Sequence, residues 1–185
     1  SIIAEFQTLK LQNPEMTAWI AFDTLDISYP VMHGEENTYY LTHTFSGKTN
    51  SSGSIFMEAG NSGDFTDCHT LLYGHNMKNG SMFGLLKKYR DEEFYQGNEF
   101  FTVYLEDRYY RYQIFSVHNV AVTDQVYTIG FAPNQEFANF VEKLNRQAWY
   151  DTGITAGVND KIVTLSTCSA SDEIRYVVHA VKVGE

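Results

Sequence analysis

Short runs of β-branched and aromatic residues, cut off by Gly, Asn, Ser or Asp, recur along almost the whole chain and leave little room for long helices. "AWIAF" (18–22), "ISYPVM" (27–32), "GSIFM" (53–57) and "HTLLYGH" (69–75) come first. "EFFTVYL" (99–105) and the long "RYYRYQIFSVHNVAV" (108–122) follow, with Tyr110, Tyr112 and Ile114 alternating with polar neighbours. Such alternation and β-branched enrichment are strand signals. "KIVTLST" (161–167) and "IRYVVHAVKV" (174–183) close the chain, β-branched on both faces, as suits strands covered by helices. Seven or eight short strands predict a mostly β, barrel-like domain.

Helical spacing is scarcer. Ile2, Ile3, Phe6 and Leu9 predict an amphipathic helix over residues 1–12, which Pro14 ends. "ENTYYLTHT" reads as a brief helix, "SMFGLLKKY" (81–89) as a short one capped by Ser81, and "EDR" as a hairpin turn. One stripe is strong: Phe137, Phe140, Val141, Leu144 and Ala148 fall at i, i+3, i+4, i+7 and i+11. Asn134 is placed to cap that helix, and Glu136 sits at its positive end.

A length of 185 residues suits one domain, 1–185, with residues 1–17 as an N-terminal helical extension. The net charge of −10 disfavours a nucleic-acid partner, which calls for clustered Lys and Arg. The densest basic stretch, "LLKKYR", runs straight into "DEE" and reads as a solvated surface. Two cysteines permit at most one disulfide and no four-cysteine zinc site. No apolar run is long enough to span a bilayer, and no signal-like segment is present.

The chemistry concentrates in "TLSTCSASDEIRYVVHAV", residues 164–181. Cys168 ends one predicted strand and Arg175 opens the next, so pairing the two strands brings both to one end of the sheet. A cysteine nucleophile needs a base or imidazolium partner and donors for the developing oxyanion. Of the six histidines (33, 43, 69, 75, 118 and 179), His75 stands out. In "LLYGHNMKNGSMFG" a buried strand runs into a loop bracketed by Gly74, Gly80 and Gly84, a common setting for a reactive group. His33 in "VMHGEEN" has a looser, more acidic setting, and His179 sits inside an apolar strand and reads as structural. Cys68 follows two acids in "GDFTDCHT", which raise a thiol pKa, so it reads as an ordinary free cysteine. A metal site built on Cys68 and His69 would lack a second paired ligand cluster.

"TLSTC", "YGHNMKNGSMFG" and the arginine after the cysteine resemble the class B sortases, bacterial cell-surface cysteine transpeptidases. The likeness extends to "ISYPVMHGEENTYYLTHTFSGKTNSSGSIFMEAGN" and, with the terminal helix and the long helix, covers nearly the whole chain. Papain-like peptidases use the opposite order, cysteine before histidine. The resemblance implies a closed eight-stranded β-barrel with N-terminal helices and a long helix before the last two strands. It implies Cys168 as nucleophile, His75 as general acid/base and Arg175 as oxyanion stabiliser or substrate clamp. Ser166 shares strand parity with Cys168, and Asn37, Leu41, Thr123 and Tyr127 match substrate-groove positions loosely.

The implied partners are the sorting-signal peptide of a surface protein and an amine of a peptidoglycan precursor or cross-bridge. Neither metal nor organic cofactor is implied. The implied location is the outer face of a Gram-positive cell membrane, through an N-terminal anchor outside these residues. The link "SASDEI" is short and acidic where many sortases carry a longer loop, which bears on peptide preference. Two other readings remain at this stage: a non-catalytic barrel that binds a partner at the cell surface, and a cysteine endopeptidase that only hydrolyses.

Overall fold

Alternation of buried and half-buried residues runs the full length of the first strand, and it fixes which side of the chain faces inward. The computed structural model describes residues 2–168 and 174–184. Helix α1 (Ile2–Gln12) leads into β1 (Met16–Phe22), which starts inside the segment expected to be a helical extension. There follow β2 (Ser28–Met32), a 3-10 turn at Tyr39–Leu41, β3 (Ile55–Met57) and β4 (His69–His75). A 3-10 helix (Gly84–Arg90), the one-turn α2 (Glu92–Tyr95), β5 (Phe100–Tyr104) and β6 (Tyr109–Ala121) come next. The 3-10 turn Gln125–Tyr127, helix α3 (Gln135–Gln147), β7 (Ile162–Cys168) and β8 (Ile174–Gly184) complete the chain.

The eight strands close in the order β1-β2-β3-β4-β7-β8-β6-β5, and β5 returns to β1. Closure gives every strand a paired neighbour on both sides. Two of the pairings are parallel, β2 with β3 and β4 with β7. Ile20, Leu72, Val103, Ile114, Leu165 and Val178 help fill the interior. Outside it, Phe137, Phe140, Val141 and Leu144 of α3 lie on Phe115, Ile162, Val177 and Val181. Phe6 of α1 joins Met16, Met32, Tyr40 and Phe56 in a third cluster, on which Tyr73 and Cys168 pack. The Ile3 side chain lies outside the described residues. Among the described residues, no helix is long and apolar enough to cross a membrane.

Local chemistry sets the ends of α3. The Asn134 side chain accepts from the Glu136 and Phe137 amides at 3.1 and 3.3 Å, satisfying two orphan donors of the first turn. Ala148, expected as the last member of the apolar stripe, is extended and lies beyond the helix. The expected Ser81 cap is also absent. Ser81 Oγ donates to Asn79 Oδ1 at 2.6 Å, Met82 takes φ +56°, and the 3-10 helix starts two residues later with no side-chain cap. The side chain of Asn79 captures the serine before a helix can use it.

His69 opens β4 beneath α3, its ring 5.0 Å from that of Phe140. Burial pushes His69 down to about 4, against the stabilising pull of the Thr128 carbonyl. An unfolded histidine titrates near 6.5, so below that pH the unfolded chain binds a proton that the folded chain refuses. This contribution to stability is complete above pH 6.5 and is lost as pH falls towards 4. Urea unfolding should therefore show at least about 2 kcal/mol less stability at pH 5 than at pH 7, because burial lowers His118 and His179 in the same direction. Equal stability at the two pH values would contradict the burial of a neutral His69.

Candidate active site

Strands β4 and β7 run side by side in the same direction and stop together. Their register holds without a break from His69↔Ile162 to His75↔Cys168. Registered residues of a parallel pair project to the same face, about 4.8 Å apart, so His75 and Cys168 stand next to each other at the strand ends. Gly74, between Tyr73 and His75, has no room for a side chain. A Cβ there would lie 2.8 Å from the Phe83 ring and would collide with Ile55 Cδ1.

The third residue arrives from the other side of β7. The antiparallel register of β7 and β8 ends at Ser166↔Val177, and beyond it Arg175 lines the same cavity as Cys168. Arg175 also pairs with Val120 of β6. A cavity of about 300 Å³ opens at this corner, lined by Tyr73, Val122, Tyr127, Ser166, Thr167, Cys168 and Arg175.

Hydrogen bonds fix the orientation of these groups. His75 Nε2 lies 2.6 Å from the Leu41 carbonyl. A carbonyl only accepts, so Nε2 carries the proton and Nδ1 is the basic nitrogen of the neutral ring. Gly53 allows this contact. With φ +58° it packs against the Tyr40–Leu41 backbone, where a Cβ would sit 2.7 Å from the Leu41 oxygen. Ser166 Oγ donates to the Thr167 carbonyl at 3.0 Å, so the Tyr127 hydroxyl is the donor in its 2.8 Å contact with Ser166 Oγ. Tyr73 donates to Glu58 Oε1 at 3.0 Å. Burial pushes Glu58 up, but bonds from Asn37, Gly60, Tyr73 and Ala59 outweigh it and hold the carboxyl below its ordinary value.

Burial pushes the Cys168 thiol up to about 12, and the Arg175 guanidinium pulls against that shift.

The sequence profile of the sortase domain matches residues 20–183. The chain belongs to the sortase family. It is 31% identical to sortase B of Listeria monocytogenes over 169 residues, which cover 91% of this chain and 69% of that protein. Its fold superposes on sortase B from B. anthracis in complex with AAEK1 with a TM-score of 0.90, at 36% identity over 98% of this chain and 85% of that one. On the Staphylococcus aureus sortase B–substrate complex the TM-score is 0.93, at 28% identity, with 98% and 85% covered. These likenesses make it a class B sortase, a cysteine transpeptidase that acts on sorting-signal peptides.

Of the residues singled out in its sequence, this sortase brings Cys168, Arg175, Ser166 and Tyr127 to one cavity, with His75 beside it. Leu41 meets the site through its carbonyl on His75. Asn37 is turned to another task, donating to Glu58 Oε2 at 2.8 Å and accepting from the Ala59 amide at 2.7 Å. Thr123 is exposed and does not line the cavity, whereas its neighbour Val122 does. His33 is 3.3 Å from the Ala59 carbonyl, and His179 is fully buried. Cys68 is 6% exposed and unpaired, its carbonyl bonded to the Ile162 amide. Asp172 and Glu173, the acids nearest Arg175 in sequence, lie outside the described residues. Among the described residues no three His, Cys, Asp or Glu side chains gather as a metal site.

Tyr73 was missed, although strand parity places it on the face of His75 in "HTLLYGH". The sortase's thiol should react with iodoacetamide only slowly at pH 7, because the thiolate is the reactive form. Its rate, read at Cys168 by mass spectrometry, should climb with an apparent pKa above the ordinary value of about 8.5. Arg175→Ala should push that apparent pKa higher still. A wild-type apparent pKa below about 8.5 would contradict the burial of the sulfur.

Proposed function

We propose that Cys168 is the nucleophile of this sortase, His75 its general acid/base and Arg175 the donor to the oxyanion, with Ser166 and Tyr127 contacting the bound peptide. The acceptor is an amine of a peptidoglycan precursor or cross-bridge. The enzyme works at the outer face of a Gram-positive cell membrane, held there by an N-terminal anchor. One observation carries the assignment of roles: the β4–β7 register ends on the pair His75 and Cys168, with Arg175 in the same cavity. The substrate complex of the S. aureus relative supports a peptide in this groove.

The Cys168 proton passes to His75 as sulfur attacks the scissile carbonyl carbon, forming a C–S bond and an oxyanion. Arg175 stays charged at any working pH and offers that oxygen a planar fork of donors. The C–N bond then breaks, and His75 returns the proton to the leaving amine, which leaves a thioacyl-enzyme. An incoming amine attacks the thioester and gives its proton to His75. As the new amide forms, the C–S bond breaks and His75 hands its proton to the departing sulfur, which restores the thiol.

A peptide-library cleavage screen, with mass spectrometry of the thioacyl adduct and with or without an amine acceptor, tests the whole reading. Cys168→Ala should abolish cleavage while Cys68→Ala keeps most of it. His75→Ala should lose about 10²–10⁴-fold in turnover. Arg175→Ala should lose about 10²–10³-fold in kcat, and Arg175→Lys should recover part, since an ammonium lacks the fork. Cleavage by Cys168→Ala would overturn the nucleophile, and a wild-type kcat in Arg175→Ala would leave the arginine a bystander. A product that stays hydrolytic whatever amine is supplied would overturn the acceptor.

A further inference from the structure

Away from the reacting groups, three histidines lie buried between the barrel wall and α3, joined through one threonine. We propose that His69 is a positioning residue for the transpeptidase reaction: at the end of a hydrogen-bonded chain of fixed polarity, His118–His179–Thr164–His69, it holds the Thr128 carbonyl and with it the Tyr127 wall of the Cys168 cavity.

The polarity follows from counting protons. His69 Nδ1 is 2.8 Å from the Thr128 carbonyl and its Nε2 is 2.7 Å from Thr164 Oγ1. Thr164 Oγ1 is 2.7 Å from His179 Nδ1, and His179 Nε2 is 2.8 Å from His118 Nε2. His118 Nδ1 ends the chain 3.2 Å from the Asn119 carbonyl. The chain therefore has five contacts between two carbonyl ends. Burial lowers the pKa of all three rings and keeps them neutral at pH 7, so three histidines and one hydroxyl supply only four protons.

One contact must go without a proton, and the long one at the Asn119 carbonyl is the natural place for it. His69 then carries its proton on Nδ1 and Thr164 donates to the bare Nε2. His179 donates to Thr164 from Nδ1, and His118 donates to His179 from Nε2. The reverse polarity would set a bare nitrogen against the Thr128 oxygen at 2.8 Å, where the two lone pairs repel.

This matters to the site because of what Thr128 follows. The segment joining β6 to α3 carries Val122 and Tyr127 into the cavity. It is tied by the Asp124 side chain on the Val126 amide, by Tyr127 on Ser166, and by His69 on Thr128. Cys168, His75 and Arg175 lie on strands outside it. Loosening the segment should therefore weaken peptide binding without touching the chemical step.

Nitrogen-15 NMR of the histidine side chains at pH 7 reads the polarity directly. The expected tautomers are Nδ1–H for His69 and His179 and Nε2–H for His118, and any other set overturns the proposal. The functional arm uses the intact enzyme, a cleavable sorting peptide and Thr164→Val, which removes the hydroxyl while keeping the shape. KM should rise about tenfold, the order expected when the His69 ring loses the hydroxyl bond that fixes it against the Thr128 carbonyl. kcat and the iodoacetamide rate at Cys168 should stay within about twofold, a split that marks lost binding. Thr164→Ser should restore the wild-type KM. An unchanged KM in Thr164→Val, or a fall in kcat alone, overturns the positioning role. The inference rests on the transpeptidase reading, but the two fail differently: cleavage surviving Cys168→Ala defeats that reading and leaves the tautomers as they are.

Discussion

The parallel ladder between β4 and β7 is the constraint on which the site depends. Parallel neighbours cannot be joined by a tight turn, so the chain must leave β4, build β5, β6 and α3, and return to lay β7 alongside. Cys168 follows His75 by ninety-three positions in sequence, yet one ladder sets them side by side. A slip of one residue would turn every side chain of β7 to the opposite face, taking the thiol away from the imidazole. Buried residues on β4 and β7 penalise such a slip: Leu72 and Leu165 face the interior while Ile162 lies under α3.

The electrostatics of the corner follow from its position at the edge of a dry core. Cys168 packs on the cluster that holds Phe6, Met16 and Phe56, so its thiolate is poorly solvated. Arg175 supplies positive charge from the neighbouring strand, and His75 is held by a carbonyl, with its second nitrogen free to exchange a proton. With burial raising its pKa, the protonated thiol is the favoured form of Cys168 at neutral pH. Tyr73 and Tyr127 close the cavity with hydroxyls committed to Glu58 and Ser166, so these two residues present aromatic faces to it.

The sequence disclosed whatever rests on local pattern. "HTLLYGH" marks β4 from end to end, the Phe137–Leu144 stripe marks α3, and Asn134 caps it as its type suggests. Cys168, His75 and Arg175 were legible because unusual residues stood at strand ends. Interactions made by the backbone were not legible. The Leu41 carbonyl has no side-chain signature, so its hold on His75 emerges only when the chain folds. Asn37 looked like a groove residue from its place in the chain, yet its amide is taken up by Glu58 and Ala59 across 21 and 22 residues of sequence. Ser81 failed as a cap because Asn79 competes for it two residues away. The histidine chain beneath α3 joins β4, β6, β7 and β8, and a pairing of that kind is invisible until the barrel closes.

The register of β4 against β7 can be tested without reference to activity. Adjacent parallel strands lie about 4.8 Å apart, inside the Cα range of about 4.4–6.8 Å that a disulfide can bridge. In a protein carrying His75→Cys and Cys68→Ser, mild oxidation followed by mass spectrometry should find the introduced thiol joined to Cys168. Two thiols that stay free under oxidation, in a protein whose circular dichroism matches the wild type, would contradict the register and with it the origin of the site.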